Sequence, residues 1–170
     1  MICYKLVNID KKGILHPLFV NKKDDWHVGD HLIAFTGQQT ENGKVKSSLG
    51  ELAFRPGLHC SVLPFCHHIG KKRAKSDNKP AFRAKNQVWI ECETVGDDCT
   101  KIAQQNSDSA RDQCFKNMDW QGFYFYTTNS NASDLNKWII SKELKVLRLL
   151  TDEEVNNINA PCGVSDLPRL

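Results

Sequence analysis

Apolar and polar positions along the chain alternate with different periods, and those periods predict its elements. Ile2 to Val7 reads as an opening strand, and Ile14 to Val20 as a second extended piece interrupted by Pro17. Asn21 to Gly29 is polar and turn-like, His31 to Phe35 is strand-like again, and Gly37 to Lys46 is a polar excursion. Glu51 to Arg55 reads as a short strand stopped by Pro56-Gly57, a pair that favours a turn. Periodicity fails from Cys60 to Asn86, where Pro64, Gly70 and Pro80 break the chain, so a long loop is expected there. QVWIECETV alternates cleanly: Val88, Ile90 and Cys92 fall on one face, Trp89, Glu91 and Glu93 on the other. Ser107 is placed to cap a helix over Asp108 to Met118, with Ala110, Cys114, Phe115 and Met118 on one side. GFYFYTT is β-rich, and WIISKELKVLRLL reads as one bent strand or a hairpin. Thr151 and Glu154 form a capping-box signature ahead of a last helix containing Val155 and Ile158. The sum is an α+β fold: a mostly antiparallel sheet with two or three short helices and a long basic loop.

The 170 residues, 40% of them hydrophobic, suit one domain spanning 1–170. No run of about eighteen apolar residues occurs, and the first residues lack the basic-then-apolar order of a secretory signal. A soluble protein with no membrane partner is expected. Seven scattered cysteines suit reduced thiols better than a disulfide framework, which points to a cytoplasmic setting.

Charge changes this picture locally. Net charge is +3, yet Lys71, Lys72, Arg73, Lys75, Lys79, Arg83 and Lys85 against Asp77 alone give one segment +6, leaving −3 elsewhere. Such a segment either attracts phosphate-bearing partners or is a solvated loop. Just before it lies LAFRPGLHCSVLPFCHHIG, with Arg55, His59 and His68. An imidazole near its ordinary pKa exchanges protons at neutral pH, and a guanidinium offers a fork of donors to phosphate oxygens. Together these types can carry phosphoryl transfer without a metal, one imidazole taking a proton and the other returning it. The ordinary alternative is that each histidine is a structural loop residue. Cys60, Cys66, His67 and His68 are ligand types, but their spacing does not match structural zinc pairs, so no metal is expected.

Lys71, Lys72 and Arg83 are candidate substrate ligands by charge. Trp89, Glu91 and Glu93 are candidates by sharing one strand face; the two carboxylates sit about 7 Å apart by strand geometry. Alternate glutamates are also the ordinary wet face of a strand. The run Phe123 to Tyr126 must give one face to the core, and its other face could stack a base. A glycine-rich phosphate loop, a GxSxG elbow and an HExxH pair are all missing, which removes several large enzyme classes.

Lys44 to His59, KVKSSLGELAFRPGLH, resembles the pattern K-V-K-S-x-L-G-x-L-A-[YF]-R-P-G-W-H of a small domain of bacteriophages and mobile elements, often found within polyvalent proteins. Leu63-Pro64, His68-Ile69-Gly70, Gln87 to Trp89, Trp138 to Ser141 and Gly163 to Arg169 extend the likeness over nearly the whole chain. Leu58 replaces the pattern's tryptophan, and His67 lies outside it, which favours His68 over His67. The resemblance implies a phage or mobile-element origin and carries no activity with it.

Three functions remain open. The first is an enzyme on a phosphate-containing substrate, RNA or a nucleotide, with His59 and His68 moving protons and Arg55 with Lys71 or Lys72 holding charge. The second is an ADP-ribosyltransferase-like domain with NAD in a split antiparallel sheet and Glu91 or Glu93 at the ribose. The third is a non-catalytic module whose basic run docks on nucleic acid or a host protein, as a counter-defence factor would.

Overall fold

In the computed structural model, which describes residues 1–107, 114–126 and 137–170, one mixed-length antiparallel sheet dominates. Its strands are β1 (Ile2–Ile9), β2 (Leu15–His16), β3 (His31–Ile33), β6 (Leu58–Ser61), β7 (Gln87–Thr94), β8 (Phe123–Tyr126), β9 (Trp138–Ser141) and β10 (Glu143–Leu149). The spatial order is β3-β10-β7-β1-β6-β9-β8, with β2 added to β1. β4 (Val45–Ser47) and β5 (Gly50–Leu52) form a separate hairpin. Among the described residues, two α-helices, α1 (Thr100–Gln105) and α2 (Asp152–Asn159), complete an α+β architecture.

Alternation explains the packing. Cys3 and Val7 of β1, Ile90 and Cys92 of β7, Leu144 and Val146 of β10 and Ile139 of β9 form one buried face. On the opposite face, Leu6 and Trp89 pack with Leu150 and Val155 under α2, while Tyr124, Tyr126 and Ile140 pack with Trp120 and Ala103 of α1. α2 starts where its capping box predicts: the Thr151 hydroxyl accepts from Glu154 N–H, and the Glu154 carboxylate accepts from Thr151 N–H.

The sheet is nearly cut in two. β1 pairs with β7 over seven positions but meets β6 only at Tyr4↔Ser61, and β2 joins that same edge at Asn8 and Ile9. Between those two meetings, at Lys5 to Val7, the edge has no strand partner, and the sheet opens there.

Two expectations change, and one helix forms where none was expected. Residues 114–118 are not helical, so the C-terminal part of the helix expected over Asp108–Met118 is absent, and residues 108–113 lie outside the described residues. The helix that does form, α1, has Cys99 at its N-cap with no side-chain cap, so no capping signature announces it. β9 and β10 are neither a hairpin nor one bent strand. β9 pairs with β6 and β8, β10 with β7 and β3, and Lys142 carries the chain from one half of the sheet to the other.

Residues 62–86, between β6 and β7, form turns and bends pinned at a few points. Lys71 bridges to Phe82, and Arg83 bridges to Arg169 in the C-terminal tail. That tail is a clasp. Asp166 accepts from Arg83 Nε at 3.1 Å and from its Nη2, from the Trp89 indole N–H at 2.7 Å and from Cys66 N–H at 3.0 Å. Arg169 pairs with Asp152 of α2 and donates to the carbonyl of Gln87 at 2.8 Å.

Candidate functional site

A cavity of about 660 Å³ opens where β1 and β6 part. That size falls within the range of small-molecule and cofactor sites. Residues from both faces of the sheet line it, Leu6 and Trp89 from one and Lys5 and Cys60 from the other, because the split exposes strand edges that a continuous sheet would cover. Aromatic side chains contribute to the wall, among them Tyr4, Trp26, Trp89, Tyr126 and Trp138.

Arg55, His59 and His68 all line this cavity. The turn that sets Arg55 beside His59 depends on Gly57, whose φ of +136° is glycine territory; a Cβ there would lie 2.2 Å from Cγ2 of Ile140. The Arg55 guanidinium sits 4.9 Å from the centre of the Tyr126 ring, a cation–π contact that fixes its direction. His59 Nε2 lies 2.8 Å from the Arg55 carbonyl oxygen. A carbonyl only accepts, so Nε2 carries the proton and Nδ1 is the acceptor. Burial, the largest cause, overrides the opposing hydrogen bond to the Arg55 carbonyl and lowers the His59 pKa to about 4. At neutral pH His59 is an uncharged, fixed tautomer. It is a positioning group rather than one half of a proton-exchanging pair.

His68 differs. It is exposed, stands edge-on to Trp138 with ring centres 5.7 Å apart, and has Nδ1 3.4 Å from the Cys66 sulfur. Although the residue as a whole is exposed, desolvation of its ring, with Arg83 and His67 adding to it, lowers its pKa and so favours the neutral form. Burial raises the Cys66 pKa and keeps it a thiol. His67 points elsewhere and donates to the Ser165 carbonyl at 2.7 Å.

The candidate substrate ligands divide. Trp89 lines the cavity, with its indole N–H held by Asp166. Arg83 does not reach a ligand: it is 1% exposed and its donors go to Asp166 and to the carbonyls of Cys66 and Ile69. Its place in a basic run suggested a surface role, but its charge is spent inside the clasp. Lys71 and Lys72 are exposed and lie outside the cavity. Glu91 and Glu93 also lie outside it; Glu91 is tied to Arg148, which in turn bonds Glu154. Among the described residues, the carboxylate that lines the cavity is Asp24.

Lys5 is the functional candidate that the sequence reading passed over. Its Nζ donates to the His59 carbonyl at 2.7 Å and lies 5.8 Å from the centre of the Trp26 ring. The signal was present in alternation, since Cys3, Lys5 and Val7 share a strand face and the other two are fully buried.

Among the described residues, no three His, Cys, Asp or Glu side chains gather as a metal site, and no helix is long and apolar enough to cross a membrane. No disulfide joins any of the seven cysteines. Comparison with protein-family models, curated proteins and solved structures gives no match.

Proposed function

We propose that the protein takes a nucleotide, free or at an RNA end, into the split-sheet cavity and acts on its phosphate. The convergence of Arg55, His59, His68 and Trp89 on one aromatic-walled cavity carries this reading. Aromatic walls suit a base, because every base offers a π face. Arg55, oriented by Tyr126, is the phosphate ligand. His68 is the proton-transferring group, taking a proton from the attacking hydroxyl in its neutral form. His59, with Nε2–H committed to Arg55, offers Nδ1 as a fixed acceptor to a ribose hydroxyl. As the oxygen of the attacking hydroxyl or water bonds to phosphorus, the P–O bond to the leaving oxygen breaks, and the proton taken by His68 passes to that leaving oxygen.

The split in the sheet favours a second reading, NAD in the same opening. Glu91 and Glu93 do not serve it; among the described residues the ribose carboxylate of that reading is Asp24. The exposed lysines 71, 72, 75, 79 and 85 suit a longer nucleic acid or an acidic host protein.

Calorimetric titration with adenosine monophosphate isomers, a short RNA and NAD tests these readings together. The first expects phosphate-dependent binding weakened by Arg55→Ala, and RNA or nucleotide turnover lost with His68→Ala. NAD binding with release of nicotinamide selects the second. Steeply salt-dependent binding that survives Arg55→Ala and His68→Ala selects the docking module and rejects the catalytic reading.

A further inference from the structure

A lysine on the inward face of a strand needs a reason. Lys5 stands between Cys3 and Val7, both fully buried, and opposite Ile90 of β7. Its stem follows the core face while Nζ emerges in the split, where it supplies β6 with a hydrogen bond that the missing β1–β6 ladder does not. No carboxylate of the described residues lies within ion-pair distance of it. Its neighbours are the His59 carbonyl, the Trp26 ring and the thiols of Cys3, Cys60 and Cys92. Burial of Cys60 and Cys92 raises both pKa values, so these thiols are not anions that would hold Lys5 as an ammonium ion.

An amine in a cavity, with a carbonyl oxygen fixing its direction and no acid to hold its charge, is the arrangement found where lysines act as nucleophiles. Burial pulls the Lys5 pKa down, and the opposing influence of the thiols is smaller. The exposed lysines have no such surroundings.

We propose that Lys5 is a covalent site of the cavity, forming a Schiff base with the carbonyl carbon of a small aldehyde such as the open-chain form of a sugar phosphate. The nitrogen lone pair attacks the carbonyl carbon, the C=O π pair moves to oxygen, and a proton passes from nitrogen to oxygen to give a carbinolamine. Loss of the hydroxyl with a further proton, as water, forms the C=N bond. No oxidant or reductant takes part, and hydrolysis reverses the step. The assignment rests on the cavity being the binding site but not on Arg55 being the phosphate ligand.

Reductive trapping of the full chain at pH 7 tests it, with glyceraldehyde 3-phosphate and unphosphorylated glyceraldehyde as probes and borohydride as the reductant. Tandem mass spectrometry of the digest separates Lys5 from the α-amine of Met1. The expected result is that Lys5 carries the dominant label in the folded protein, that urea abolishes this preference, and that Lys5→Met loses it. The folded wild-type map decides the matter even where Lys5→Met fails to fold. Faster trapping of the phosphorylated probe, with the advantage lost in Arg55→Ala, supports both assignments. Equal trapping of the two probes on Lys5 upholds the amine and sinks the phosphate role of Arg55. Label spread over the exposed lysines with Lys5 unmodified overturns the proposal.

Discussion

Replacing Asp166 with alanine removes the centre of the clasp that holds residues 62–86 and Trp89 in place. Arg83 and Asp166 are almost fully buried, their side chains 2% and 8% exposed. Asp166 accepts from two guanidinium nitrogens, the Trp89 indole and the Cys66 amide. Without it the guanidinium keeps only the Cys66 and Ile69 carbonyls, and the indole and amide lose their acceptor. Breaking a buried ion pair from one side costs about 3–5 kcal/mol, because the surviving charge stays desolvated. For a chain of this size that is a drop in Tm of roughly 6–20 °C, at about 2–4 °C per kcal/mol. Urea unfolding followed by tryptophan fluorescence measures it, since Trp89 sits at the break. The double change Arg83→Met with Asp166→Leu should cost less than Asp166→Ala alone, because it removes both charges together. A loss below about 1 kcal/mol for Asp166→Ala would refute the buried-clasp reasoning.

Other consequences are equally specific. Gly57→Ala forces a Cβ against Ile140 at a positive φ and should cost about 1–3 kcal/mol by thermal denaturation; no loss would mean that the Arg55–His59 turn is not held as described. His59, lowered from 6.5 to about 4, binds its proton less readily when folded. Its contribution is complete above about pH 6.5 and fades as pH falls through 4, by about 3 kcal/mol at full extent. Urea midpoints of wild type and His59→Gln measured from pH 7 to 4 should converge on the acid side, and parallel curves would contradict this. Thr151→Ala removes the capping box of α2 and should cost about 1 kcal/mol, read by the same urea titration.

Elements whose signal is local were legible in the sequence. β1, the alternating faces of β7 and the capping box of α2 each declare themselves within a few residues, and the structure places them there. The partners of WIISKELKVLRLL were not legible, because an apolar run does not name the strands it will join; its two halves join opposite sides of the sheet. Arg83 was misplaced for a related reason. Seven basic residues in fifteen look alike as charge, and the acid that buries one of them lies 83 positions away in the tail. The grouping of Arg55 and His59 was readable from Pro56-Gly57, whereas the arrival of His68 and Trp89 at the same cavity depends on the clasp. Lys5 escaped because a lysine near the start of a chain is normally solvent-facing, and only its strand parity argued otherwise.

The histidines themselves report most directly on whether the split sheet is a nucleotide site. In a proton NMR titration with adenosine 3′-monophosphate, the imidazole signals of His59 and His68 should shift together along one binding curve. Those of His27 and His31, which lie outside the cavity, should stay still. Shifts confined to the exposed lysines 71–85, with both cavity imidazoles unmoved, would contradict the account.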